Sequence, residues 1–97
     1  MSDITVLVVD DESRMRKLIR DFLSQKQYKI LEAGDGEEAL KVFEEKQNSI
    51  NLILLDVMMP KLDGWSVLRQ IRQTSKVPIV MLTARGEEQD ELFGFEL

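Results

Sequence analysis

The chain of 97 residues contains no cysteine and no histidine. Those two absences exclude zinc sites built on thiolate or imidazole. They also exclude Ser-His-Asp and Cys-His catalysis, disulfides and thiol redox chemistry. The chain cannot itself carry a phosphohistidine. Basic excess is lacking too. Lys plus Arg number 13 against 18 Asp plus Glu, a net charge of −5, and the pI lies near 4.7. No dense Lys/Arg cluster offsets that balance, so direct nucleic-acid contact by this chain is not expected. Long apolar runs are missing. Leu52-Ile53-Leu54-Leu55 stops at Asp56, far short of the ~20 residues that span a bilayer. Met1-Ser2-Asp3 lacks the basic start and apolar core of a signal peptide. No membrane association and a cytoplasmic location are the expectations.

What is present fits one small soluble domain, with 43% hydrophobic and 32% charged residues. The elements alternate. Ile4 to Val9 is apolar and β-branched except for Thr5, and reads as a strand buried on both faces. It ends at Asp10-Asp11-Glu12. Met15, Leu18, Ile19, Phe22 and Leu23 then recur at helical spacing and predict a helix with one apolar stripe. Tyr28 to Ala33 reads as a second strand, and its charges at Lys29 and Glu32 suit a sheet edge. Asp35 is placed to cap a second helix from about Glu37 to Gln47, with Ala39, Leu40 and Phe43 on its core face. Leu52 to Leu55 is a third strand ending at Asp56. A loop to Asp63 follows, and Gly64 opens a third helix with Trp65, Leu68 and Ile71 on one face. Pro78 to Leu82 is a fourth strand ending at Thr83-Ala84. A fourth helix is expected from Glu87 to the end. Such alternation predicts an α/β fold: a parallel sheet with right-handed crossovers and helices on both faces.

Three strands therefore end in a chemically useful residue: Asp10-Asp11, Asp56 and Thr83. In an open α/β sheet, ligands bind outside the carboxyl ends of the strands. Three carboxylates at one rim repel each other, so a pKa must rise unless a cation sits among them. What this chain can offer a metal is oxygen, and such donors suit Mg2+. A carboxylate can also act as a nucleophile and form an aspartyl phosphate. Thr83 would then donate its hydroxyl to the phosphoryl group. Each residue has a plainer reading. Asp10-Asp11-Glu12 can cap the first helix, Asp56 can be a turn residue, and Thr83 a cap or turn hydroxyl. Met58-Met59 can be packing and Trp65 a core anchor. The weight lies in their conjunction at the ends of neighbouring strands.

Three blocks carry a family resemblance: Val6-Leu7-Val8-Val9-Asp10-Asp11-Glu12, the run from Leu54-Leu55-Asp56 through Met58-Met59-Pro60 to Asp63-Gly64, and Pro78-Ile79-Val80-Met81-Leu82-Thr83-Ala84. With these the chain resembles a bacterial two-component response-regulator receiver domain over its whole length. The tail Glu91-Leu92-Phe93-Gly94-Phe95-Glu96-Leu97 resembles the fourth helix of receivers attached to winged-helix DNA-binding domains. The resemblance implies a flavodoxin-like three-layer sandwich, here with strand order 2-1-3-4 and truncated after the fourth helix. It implies that Asp56 accepts a phosphoryl group from a sensor histidine kinase. Asp10, Asp11, Asp56 and the backbone carbonyl of Met58 would hold Mg2+, with Asp10 acting partly through water. Thr83 would be the switch residue. The chain would be a signalling module and not an enzyme, its downstream output being transcription.

The family's fifth strand, fifth helix and phosphoryl-pairing lysine have no counterpart in residues 1–97, and neither Lys61 nor Lys76 matches that lysine. The chain thus reads as an incomplete receiver, the N-terminal piece of a longer regulator. Mg2+ binding is expected to survive, and phosphorylation to be weak. Self-association is expected, through an exposed fourth-strand edge or segment swapping. The rival reading is a Mg2+-dependent phosphotransferase or phosphatase with an aspartyl nucleophile. That class wants an acid two residues after the nucleophile, where this chain has Met58. A dinucleotide-binding module is disfavoured, because Gly34-Asp35-Gly36 is too short for a G-x-G-x-x-G loop.

Overall fold

The computed structural model describes residues 4–82 and the backbone of 92–96. The elements are β1 (Thr5–Val9), α1 (Ser13–Ser24), β2 (Lys29–Ala33), α2 (Gly36–Lys46), β3 (Leu52–Asp56), α3 (Gly64–Arg72), β4 (Ile79–Leu82) and β5 (Leu92–Glu96). The sheet order is β2-β1-β3-β4-β5. Strands β1 to β4 are parallel, with Val9 opposite Ala33 on one side and opposite Leu55 on the other. This is the expected receiver-like order, with β2 at the edge.

Strand alternation divides the sheet into two faces. Leu7, Val9, Ile53, Leu55, Ile79 and Met81 form one face. They pack under Ala39 and Phe43 of α2 and Val67, Leu68 and Ile71 of α3, and this is the main core. Leu54 and Leu82 lie on the other face, beside Leu18, Ile19, Phe22 and Leu23 of α1. Both core helices start on a side-chain cap, with Glu38 N–H donating to Asp35 Oδ1 and Ser66 N–H to Asp63 Oδ1. Each cap fixes where its helix begins, and so how the loop before it leaves the strand.

Two expectations are corrected. The tail was expected to continue a fourth helix, but Leu92–Glu96 is a strand antiparallel to β4. The outer edge of β4 offers unpaired backbone groups, and a segment whose Leu, Phe and Gly favour neither helix nor strand decisively takes the pairing that edge provides. Consequently β4 is not an exposed edge, because β5 covers it. The apolar stripe of α1 is real, but no residue of that helix is buried.

Candidate functional site

Strand order reverses beside β1. The chain leaves β1 for β2 on one side, and then crosses to β3 on the other. Such a switch point leaves a crevice at the carboxyl ends of β1 and β3. Asp10 and Asp11 follow β1, and Asp56 closes β3. Oxygen atoms from these three carboxylates lie within 4.8 Å of one another. Asp10 and Asp56 are buried, at 8% and 4% exposure, whereas Asp11 faces solvent.

Local hydrogen bonds fix the two buried carboxylates. Glu12 N–H donates to Asp10 Oδ1 at 2.9 Å. Met58 N–H donates to Asp56 Oδ1 at 3.2 Å. Glu12, the residue before α1, makes no side-chain cap. The loop after Asp56 is tied down as well. Val57 N–H donates to Leu82, and Gly64 N–H returns to the Val57 carbonyl. Lys61 takes a positive φ of 65° within that loop. Gly64 is required by close approach, since a Cβ there would collide with the Asp56 carbonyl oxygen and stand 2.9 Å from Val57 Cα. Gly36 similarly presses on Leu62, which fastens the start of α2 to the same loop.

Electrostatics in the crevice are unfavourable to three negative charges. Burial chiefly, then the Asp10 charge and, less, the Asp11 charge and the hydrogen bond that a protonated Asp56 gives to Asp11, push the Asp56 carboxyl up from 3.8 to about 6, against the opposing Met58 N–H. Burial also raises Asp10; the Glu12 N–H opposes it, the neighbouring acids add to it, and Arg16 draws it down slightly. Charge is thus concentrated where a proton or, at neutral pH, a bound cation relieves it. The donor set fits a hard divalent ion. All ligands are oxygen, and opposite ligands around Mg2+ stand roughly 4.2 Å apart, twice the usual bond length, a span similar to that of this cluster.

The structure brings together Asp10, Asp11 and Asp56, and sets the N–H of Met58, not its carbonyl, against Asp56. Thr83 lies outside the described residues. Sequence reading missed a basic partner. Arg16 Nη1 donates to the Asp10 carbonyl oxygen at 2.6 Å, and its Nε to Glu32 Oε1 at 3.2 Å. Arg20 Nη1 donates to the other Glu32 oxygen at 2.8 Å. The only signal was an Arg pair at i and i+4 on α1 together with a charge inside a strand.

The response regulator receiver domain family matches residues 6–97. The transcriptional regulatory protein ResD of Bacillus subtilis (strain 168) is 47% identical over 98% of this chain and 39% of its own length. The probable transcriptional regulator ycf27 of Cyanophora paradoxa is 48% identical over 95% of this chain and 38% of its own. The chain spans less than two-fifths of either relative. Among solved structures, a receiver domain protein of Clostridium thermocellum superposes with a TM-score of 0.80 at 34% identity, over 86% of this chain and 67% of that one. The N-terminal domain of a receiver protein from Methanoculleus marisnigri JR1 gives 0.78 at 34% identity, over 87% and 69%. Its relatives are thus transcriptional regulators, and the chain itself belongs to the response regulator receiver domain family.

Proposed function

We propose that this chain is the phospho-acceptor module of a two-component regulator, and that Asp56 takes a phosphoryl group from the phosphohistidine of a sensor kinase. The observation that carries this reading is the convergence of Asp10, Asp11 and buried Asp56 at the switch point of the sheet. An Asp56 carboxylate oxygen bonds to phosphorus while the donor's P–N bond breaks. The electron pair leaves on the imidazole nitrogen, which regains a proton from solvent. Asp10, Asp11, Asp56 and the Met58 carbonyl are the residues that would hold Mg2+. Bound there, the ion would offset the charge of the carboxylates and of the phosphoryl oxygens.

The residues of the chain supply position. The Met58 N–H holds one Asp56 oxygen and leaves the other to attack. Thr83 would donate its hydroxyl to the phosphoryl group and report its arrival. The chain is then a cytoplasmic signalling module whose output, transcription, lies with a partner domain. The test is intact mass after incubation with Mg2+ and a small acyl phosphate. One phosphoryl adduct that needs Mg2+ and is lost in Asp56→Asn supports the reading. An adduct that survives in the variant refutes it.

A further inference from the structure

The Asp10-Asp11 corner stands just beyond the sheet. The ladder of β1 ends at Val9 on both sides. Past that point Asp10 keeps one sheet bond, its N–H to the Ala33 carbonyl at 3.2 Å, and its side chain accepts from Glu12 N–H. Its own carbonyl has left the ladder, and Arg16 Nη1 meets it at 2.6 Å. That carbonyl belongs to the peptide linking Asp10 to Asp11, so whatever fixes it also fixes where Asp11 departs.

Arg16 is itself held. Its Nε lies 3.2 Å from Glu32, whose second oxygen takes Arg20 at 2.8 Å. Glu32 thereby also offsets a positive charge that would otherwise repel a cation from the crevice. The guanidinium tip passes Gly34, where an added Cβ would stand 3.3 Å from Nη1. A planar fork can serve the carbonyl and Glu32 at once, which a lysine head on a flexible stem does less well.

We infer that Arg16 is a positioning residue for the acidic site, locking the Asp10-Asp11 peptide so that both carboxylates meet Asp56 in a geometry ready for a divalent cation. This role rests on the receiver reading of that site. Arg20 is the internal control, since it ties α1 to the same Glu32 through a bond of its own. A role limited to anchoring α1 on β2 would make the two arginines equivalent.

The experiment is calorimetric titration with MgCl2, without any phosphodonor, on the wild-type chain, R16Q and R20Q. The amide resonance of Asp11 is recorded beside it, before metal is added. Partners that orient metal ligands are worth roughly tenfold or more in affinity. R16Q is therefore expected to bind Mg2+ about tenfold more weakly, with its Asp11 amide displaced. R20Q is expected to stay within about twofold of wild type, because Arg20 meets Glu32 while the bond to the Asp10 carbonyl belongs to Arg16. Equal weakening in R16Q and R20Q, or unchanged binding in R16Q, overturns the role of Arg16 and leaves the cation site standing. A wild-type chain that binds no Mg2+ overturns the cation site and this role together. If circular dichroism shows R16Q unfolded, R16K takes its place. It is expected to bind several-fold more weakly than R20Q, and parity between those two overturns the inference.

Discussion

Asp56 is a residue placed where its charge is costly. Its carboxyl titrates near 6 instead of 3.8 because it is buried beside Asp10 and Asp11. Below pH 3.8 folded and unfolded chains both hold the proton, and nothing is lost. Between 3.8 and about 6 the folded chain keeps a proton that the unfolded chain has released, so stability falls as pH rises. Above that window the cost is complete, about 2 to 3 kcal/mol by linkage. Asp56→Asn removes the charge. Urea unfolding in the presence of a chelator should show the variant gaining on wild type as pH rises from about 4 to about 7. A gap that stays constant across that range would mean Asp56 is not strained. Mg2+ should raise the wild-type melting temperature at neutral pH and raise that of Asp56→Asn much less, because binding to the folded state alone stabilises it.

At the scale of elements, the close approach of Gly64 sets where Asp56 stands, and the caps set where the helices begin. Gly64→Ala drives a methyl into the backbone of Asp56 and Val57. The expected loss is about 1 to 3 kcal/mol in urea unfolding, as for overpacking generally. It should come with a shifted Asp56 amide resonance, because backbone and not a flexible side chain must move. Asp35→Ala removes the cap of α2 at Glu38 N–H, and should cost about 1 kcal/mol without altering Mg2+ binding. The strands β1, β3 and β4 were legible because each is a largely apolar run stopped by polar residues, β2 by its place between two helical patterns, and the acids that stop β1 and β3 are the site itself. Other features were not legible. Helical spacing marks the apolar stripe of α1, but spacing cannot say whether a partner covers it. Leu92-Phe93-Gly94-Phe95 suits helix or strand, and the free edge of β4 decides between them. Arg16 and Glu32 looked like ordinary solvated charges, because their meeting depends on how α1 crosses β2.

At the scale of the molecule, among the described residues one face is finished and the other is open. The face under α2 and α3 is a closed core. The opposite face carries α1, on which Leu18 and Phe22 are 64% and 59% exposed. Contiguous apolar surface of this kind drives association. With β4 covered by β5, the α1 face, and not the β4 edge, is where self-association is expected. The double variant Leu18→Gln and Phe22→Ser should bind less hydrophobic dye and show a lower apparent mass by light scattering at high concentration. Its stability should change little, since side chains this exposed contribute little burial. Unchanged association in the variant would return the interface to a strand edge. Among the described residues no helix is long and apolar enough to cross a membrane. The central claim, that Asp56 is the phosphoryl acceptor, is tested most directly by trapping. The chain is treated with Mg2+ and a small acyl phosphate, reduced with borohydride and mapped by peptide mass. Reduction converts an aspartyl phosphate to homoserine, and the predicted result is homoserine at position 56 and nowhere else. Homoserine at position 10 or 11, or at no position in a folded and Mg2+-bound chain, would contradict the account.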